Sequence, residues 1–241
     1  MKALIDADLL VYRVGHGAGD DPDTARVLRT VESTVLDIVM ESDCEDYDLF
    51  LTEGKGNFRN SIAVTAPYKG NRDSGNKPVH YDLIRDFMVD KLDAHMATTM
   101  EADDMLAIRS NEEGIDNTLI VSLDKDLDQV PGHHYNFVKQ RKYTITQEQG
   151  NLLLAKQFLT GDAADNIKGV KGIGPVKAAK AFEDCSGWTE YWDVIVDKLG
   201  LERAMENGHL LYMLRTLDDK FAPDNPFLLE GGYDATKETF D

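Results

Sequence analysis

The chain has 241 residues, enough for a sizeable core, and suits one α/β body carrying a smaller appended module. Its 26 basic and 44 acidic residues give a formal charge of −18, the opposite of the basic surplus that phosphate binding normally shows, unless the acids are gathered to hold cations and the bases form local clusters. Cys44 and Cys185 lie far apart without metal-type or redox-type neighbours, which speaks against a disulfide framework and a thiolate zinc site. The first apolar run breaks at Asp6, too soon for a signal peptide, and no stretch approaches membrane-spanning length, so a soluble cytoplasmic protein without membrane partners is expected.

In chain order, Lys2 to Ala7 reads as a buried strand ending in acid, followed by a helix through Leu9, Leu10 and Tyr12. Val27, Val31, Val35, Ile38 and Val39 recur at helical spacing between Ala25 and Glu41, and Tyr47 to Thr52 is a compact apolar run suited to a central strand. Residues 54 to 77 carry glycine, asparagine and basic side chains without periodicity and read as a loop. Helices are expected over Tyr81 to His95 and Glu101 to Glu113, then strands over Thr118 to Leu123, Tyr135 to Val138 and Tyr143 to Ile145. Strand followed by helix followed by strand predicts an α/β fold with a twisted, mainly parallel sheet covered by helices. After Thr146 only helical segments are read, over Gln147 to Thr160, Val176 to Phe182, Thr189 to Leu199 and Glu202 to Leu217. The expected division is therefore 1–146, an α/β body, 147–222, a helical module, and 223–241, a loosely packed tail.

Acidic residues fall where strands end or helices begin: Asp6 and Asp8; Glu101, Asp103 and Asp104; Asp124 and Asp126; Asp162 and Asp165. Each group alone is read equally well as a turn or a helix N-terminus, where carboxylates are favoured. Together they follow apolar runs whose carboxyl ends share one crevice in a parallel sheet. So many carboxylates in one place repel each other unless cations intervene. Oxygen-only ligands select hard metals such as magnesium, and two such ions about 4 Å apart can activate water and stabilise the leaving oxygen of a phosphodiester.

The run Gly169-Val170-Lys171-Gly172-Ile173-Gly174-Pro175 lies between helical segments with Lys168, Lys171, Lys177 and Lys180 around it. Its glycines allow a tight helix-hairpin-helix turn whose backbone N–H groups can face a phosphate without reading sequence. Lys139, Arg141 and Lys142 sit on a turn between short strands and read as solvent-facing.

Five segments, LIDAD with Arg13 following, YKGNRD, MEADDM, SLDKDLD and LTGDAADNIKGVKGIGPVKAAKAF, run in order from residue 4 to residue 182. In them the chain resembles the 5′-nuclease superfamily of flap endonucleases, 5′-nuclease domains of bacterial DNA polymerases I and phage 5′→3′ exonucleases, a PIN-like fold. Within it the chain is most similar to the small exonucleases of short-tailed phages. There YKGNR runs on to a nearby Lys77-Pro78-Val79, leaving little room for a long helical arch, and GHLLYMLRT at Gly208 to Thr216 matches the C-terminal helix.

The resemblance implies that Asp6, Glu101, Asp103, Asp104, Asp124, Asp126, Asp162 and Asp165 hold two Mg2+ ions, directly or through water, with Mn2+ as a substitute and K+ at the hairpin. Asp8 takes a variable position; Asp73 is implied as a further metal ligand because it matches an acid in many relatives, although the phage subgroup can carry a base there. Lys69, Arg72 and Arg13 are implied at the scissile phosphate. Lys77, Arg85 on a gateway helix, and Lys168, Gly169, Lys171, Gly172, Gly174 and Lys177 are implied on the DNA. The implied substrate is duplex DNA with a 5′ end, and also 5′-flap DNA and RNA–DNA hybrid, cut by a monomer without a small-molecule cofactor in phage replication, primer removal or host DNA degradation. Two other functions compete. A haloacid dehalogenase-like phosphatase matches Asp6-x-Asp8 and Gly161 to Asp165 but leaves Glu101 to Asp104 and the hairpin unexplained, and a non-catalytic DNA-binding module has no need of so complete an acidic set. A PIN-type ribonuclease would share the α/β body but lack the hairpin.

Overall fold

The computed structural model describes residues 1–54, 56–72 and 76–229; Asp73 and the tail beyond residue 229 lie outside the described residues. Six strands form one sheet: β1 (Lys2–Asp6), β2 (Asp46–Thr52), β3 (His95–Ala97), β4 (Thr118–Val121), β5 (Gly132–Asn136) and β6 (Arg141–Ile145), in the order β3-β2-β1-β4-β5-β6. The first five run parallel and β6 returns antiparallel on the edge. The chain winds outward from β1 through β2 to β3 and then back past β1 to β4 and β5. Strand order therefore reverses between β1 and β4, the place where open α/β sheets form their ligand crevice.

Both faces are covered, which is why the central strands are apolar without alternation. Ala3, Ile5, Leu49, Leu51, Leu119 and Val121 pack under α1 (Ala7–Ala18), α2 (Thr24–Glu41) and α4 (Tyr81–Leu92), whose Val11, Val31, Val35, Ile84 and Met88 are buried. On the opposite face Leu4, Phe50 and Ile120 meet Leu106 and Ala107 of α5 (Ala102–Glu113) and Leu127 of a 3-10 turn, Lys125–Gln129. A third apolar cluster joins α6 (Gln147–Thr160), α7 (Pro175–Ala181), α8 (Trp188–Leu199) and α9 (Leu201–Leu211), with Phe158, Trp188, Tyr191, Tyr212 and Phe221 as its largest members. Two further helices of four residues, α3 (Arg59–Ile62) and α10 (Pro226–Leu229), and a two-stranded ribbon, β7 (Gly161–Asp162) with β8 (Ile167–Lys168), complete the described fold.

Several elements differ from the sequence expectation for identifiable reasons. The helix from Tyr81 ends at Leu92, not His95, because Asp93 takes a left-handed conformation (φ 53°) and frees His95–Ala97 to pair with β2. Strand β5 starts at Gly132, earlier than Tyr135, because His133 and His134 are buried and the pattern of polar types conceals the strand. Helix α9 stops at Leu211 rather than Leu217. Beyond it Arg59, only 3% exposed, donates to the carbonyls of Leu210 and Tyr212, and Asp104, fully buried, accepts from Leu214 N, so the 212–214 backbone is bonded laterally instead of along a helix. The tail also packs more firmly than expected as far as it is described: Leu228 is buried, its carbonyl accepts from Asn151, and Trp188 donates to the Pro223 carbonyl. Among the described residues no helix is long and apolar enough to cross a membrane.

Arg59 and Asp104 form a two-pronged buried pair at 2.6 and 2.8 Å that fastens α3, α5 and the 210–214 segment together. Removing one member leaves the other charged and dry, which costs about 3–5 kcal/mol. Asp104→Ala is expected to lower the urea unfolding free energy by about that amount, and a change below about 1 kcal/mol would show that the pair does not fasten the segment.

Candidate metal centre

The crevice at the β1 and β4 ends opens as a cavity of about 630 Å3 lined by Asp6, Asp8, Glu101, Asp103, Asp124, Asp126, Asp162 and Asp165, with Tyr68, Lys69 and Arg72 among its other walls. Each acid arrives there for a local reason. Asp6 ends β1 and caps α1, accepting from Leu9 N at 3.4 Å. Glu101 is the residue before α5, and Asp103 lies in that helix's first turn. Asp124 caps the 3-10 turn that carries Asp126, accepting from Asp126 N at 2.9 Å. Asp162 ends β7 and accepts from Ala164 N and Asp165 N, so its side chain folds the turn that brings Asp165 round.

That turn depends on two glycines. A Cβ on Gly161 would stand 2.3 Å from the Ile167 carbonyl, and one on Gly169 would stand 2.3 Å from the Leu159 carbonyl, so only glycine lets the ribbon close. Gly169, expected on the DNA, thus has a packing role in the structure. Across the turn, Lys69 N donates to Asp165 O, Asn71 to Ala163 O and Asn166 to Pro67 O. Lys69 (φ 54°) and Asn166 (φ 62°) both adopt left-handed backbone, a conformation that non-glycine residues hold only when their surroundings fix it.

The side chains form one electrostatic system. Burial raises the Asp6 carboxyl to about 7, helped by repulsion from Asp8 and, less, from Asp124. Burial again leads for Asp103, raised well above the usual range, with Asp6, Glu101 and Asp124 adding repulsion. Asp126 is raised to about 7 by burial, then by Asp124 and Asp162. Asp124 therefore belongs to both neighbourhoods: Asp6, Glu101 and Asp103 on one side, Asp126 and Asp162 on the other. All these donors are carboxylate oxygens, the set that suits hard divalent cations. Among the described residues no three acidic, histidine or cysteine side chains close around one point; the acids ring the cavity.

Lys69 and Arg72, implied at the scissile phosphate, line the cavity beside its acids. Lys69 Nζ contacts Glu101 and lies 3.7 Å from Asp165, while Arg72 reaches Asp165 Oδ1 at 2.6 Å. Other implied residues are placed differently. Asp104 is corrected as a metal ligand, because both its oxygens are consumed by Arg59, Leu214 N and Glu101 N and it does not line the cavity. Arg13 is exposed, its guanidinium 5.8 Å from the Phe137 ring, and does not line the cavity. Arg85, expected on the gateway, is drawn inward to Asp8 at 2.9 Å and the Thr52 carbonyl at 2.6 Å. Lys77 lies over Tyr81, 4.2 Å from its centroid. Around the hairpin, Gly172 is left-handed and Gly174 precedes α7, Lys171 is exposed, Lys177 donates to the Gly172 carbonyl and Lys168 to Asn166.

Sequence reasoning missed four supporting side chains. Tyr68 O–H lies 2.9 Å from Asp165 and 3.1 Å from Glu101, and so serves one carboxylate at a time. Asn57 donates to Glu101, Ser122 Oγ donates to Asp6 while accepting from Asp124 N, and Gln157 donates to Asp126. Tyr68 was within reach, adjoining Lys69 in YKGNRD. The others carry no motif, since their role comes from packing between distant segments.

The raised carboxylates set a pH dependence. A group whose folded pKa is about 7 against roughly 4 unfolded contributes stability below the lower value and loses it as pH rises through the higher one. Without divalent cations, Asp126→Asn should leave the thermal midpoint unchanged at about pH 4 and raise it by roughly 4 °C at about pH 8. Parallel curves for the two proteins across that range would contradict the assignment.

No family model matches the chain. It is 37% identical over 121 residues to DNA polymerase I of Rhizobium leguminosarum, 44% of this chain and 11% of that one. The corresponding figures are 30% over 152 residues for DNA polymerase I of Bacillus caldotenax, 53% and 16%. The chain thus spans between about a tenth and a sixth of the length of these curated relatives. Among solved structures it is similar to the T5 D15 protein co-crystallised with metal ions (TM-score 0.68, 19% identity, 89% of each chain) and to T5 5′-exonuclease with bound zinc (0.64, 20%, 88% of this chain and 89% of that one). It is similar too to the bacteriophage T5 D15 flap endonuclease in a pseudo-enzyme–product complex with DNA and metal ions (0.61, 18%, 89% and 88%). The chain thus shares its fold with the T5 5′-exonuclease structures and part of its sequence with bacterial DNA polymerases I.

Proposed function

We propose that the chain is a divalent-metal-dependent 5′→3′ nuclease that hydrolyses phosphodiesters of DNA. The observation that carries this reading is the ring of carboxylates, Asp6, Asp103, Asp124, Asp126 and Asp162, around the cavity at the sheet's switch point, with Lys69 and Arg72 in the same wall. Carboxylates so arranged fit two hard cations, Mg2+ with Mn2+ as a substitute. Asp6, Glu101, Asp103 and Asp124 would hold one and Asp124, Asp126 and Asp162 the other, with Asp165 acting from beneath Arg72. When bound, such ions lower the pKa of a water and offset charge on the leaving 3′ oxygen.

The chain's own residues do the rest. Lys69 and Arg72 turn from their carboxylates to the scissile phosphate and fix it in line, and Tyr68 keeps Glu101 and Asp165 facing the cavity. The hairpin between β8 and α7 offers the backbone N–H groups after Gly172 and the side chain of Lys171 to a phosphate farther along the strand, and is the place for a K+ ion. The sheet up to residue 146 then cuts, the helices from 147 to 222 grip, and the described part of the tail braces α8. The substrate is a duplex with a 5′ end, with 5′-flap DNA and RNA–DNA hybrid accepted through the same contacts. The enzyme acts as a monomer in the cytoplasm, the host's if the chain is phage-encoded.

The phosphatase reading fares worse on one observation. Asp8, which it needs as a mobile acid, is tied to Arg85 and to Thr52 N at 2.9 Å each.

Incubating a 5′-labelled duplex and a 5′-flap duplex with and without Mg2+ tests the proposal, with short 5′ products expected only when the ion is present. Asp124→Asn should reduce turnover by more than about 100-fold with little change in duplex affinity; full activity would overturn the assignment. Changing Lys171 and Lys177 together to alanine should lower the salt slope of DNA binding by about two, and an unaltered slope would remove the hairpin from the interface.

A further inference from the structure

In the cavity wall two buried amides run in series to Asp126. Gln129, 2% exposed, ends the 3-10 turn, and Gln157, 9% exposed, lies in α6. Gln129 Nε2 donates to the Leu211 carbonyl at 3.0 Å and to Gln157 Oε1 at 2.8 Å, and Gln157 Nε2 donates to Asp126 Oδ1 at 2.9 Å. The direction of this chain is not free. A main-chain carbonyl can only accept, so the Gln129 amide must turn its NH2 toward Leu211, and the second N–H of that group then fixes the Gln157 carbonyl toward Gln129. Gln157 is left with its NH2 facing Asp126.

We propose that Gln157, oriented by Gln129, is a positioning residue that holds one oxygen of Asp126 and presents the other to a divalent cation in the cavity. This deepens the reading of the cavity as a dication site and rests on it. A second observation points the same way. Gln129 also lines the cavity, and its Oε1 is a buried acceptor without a hydrogen-bond partner among the described residues. An unpaired buried acceptor is costly, and a water carried by a hydrated dication would supply its donor. Arg215 Nη2 donates to the Gln129 carbonyl at 2.9 Å, so the relay is also seated on the segment after α9. Ion affinity at Asp126 is in this way coupled to how the C-terminal helices dock.

The test is calorimetric titration of Mn2+ into the full chain and into Gln157→Met and Gln157→Glu, together with the thermal midpoint of each without dications. Gln157→Met removes both hydrogen bonds at similar volume; Gln157→Glu keeps the acceptor for Gln129 and deletes the donor to Asp126. In both variants one ion is expected to bind about tenfold more weakly while the other keeps its affinity. A purely structural role would lower the midpoint and weaken both ions alike, and would overturn the proposal. So would parental affinity in both variants or tighter binding in Gln157→Glu. If Gln157→Met does not fold, Gln157→Glu decides alone. Failure of the parent chain to bind Mn2+ would instead overturn the cavity's assignment as a dication site, and leaves no relay to propose.

Discussion

Repulsion between carboxylates at the carboxyl ends of β1 and β4 is the constraint on which the remainder of the molecule is arranged. Bringing Asp6, Asp103, Asp124, Asp126 and Asp162 to one cavity raises the free energy of the folded chain at neutral pH, as the elevated Asp6, Asp103 and Asp126 express. A fold carrying such a site must fasten it from outside. Arg59 and Asp104 do so by locking α5, and hence the approach of Glu101 and Asp103, to the extended segment after α9. Ser122 does so between Asp6 and Asp124. The glycine-dependent ribbon and its left-handed neighbours do so for Asp162 and Asp165.

The acids of the cavity add to the negative charge of the whole chain. A total of −18 is unfavourable for meeting a polyanion, yet Lys69 and Arg72 are set directly against Glu101 and Asp165. On that side of the cavity Glu101 and Asp165 are offset by paired bases, while the other acids are not. An ion pair with an exposed member, as in Arg72 with Asp165, contributes little to stability. Arg72, about half exposed in its pair with Asp165, gives up little by exchanging a carboxylate for a phosphate.

Much of this was legible in the sequence because its causes are local. Apolar runs ended by acids marked β1 and β4, helical spacing marked α2, and the end of strand signals after Thr146 marked the helical module that α6 opens. The acids themselves were readable as a set for the same reason. What escaped depends on contacts between distant segments. Asp104 sits beside Asp103 in sequence and differs only in pointing at Arg59, 45 residues away. Arg85 looks like a surface base on a helix but turns inward to Asp8, 77 residues away. The three-residue β3 and the two-residue β7 and β8 are too short to carry a period, and α9 was overextended because its apolar spacing continues past Leu211 into a segment whose backbone is bonded sideways.

The most direct test of the account is the thermal midpoint of the unmodified chain as Mg2+ is raised, at about pH 8 and again at about pH 4. A dication that binds only the folded state stabilises it in proportion to the logarithm of its concentration above the dissociation constant. The account predicts a rising midpoint at the higher pH and a much smaller rise at the lower one, where protons already neutralise Asp6 and Asp126. A midpoint indifferent to Mg2+ at both would contradict it.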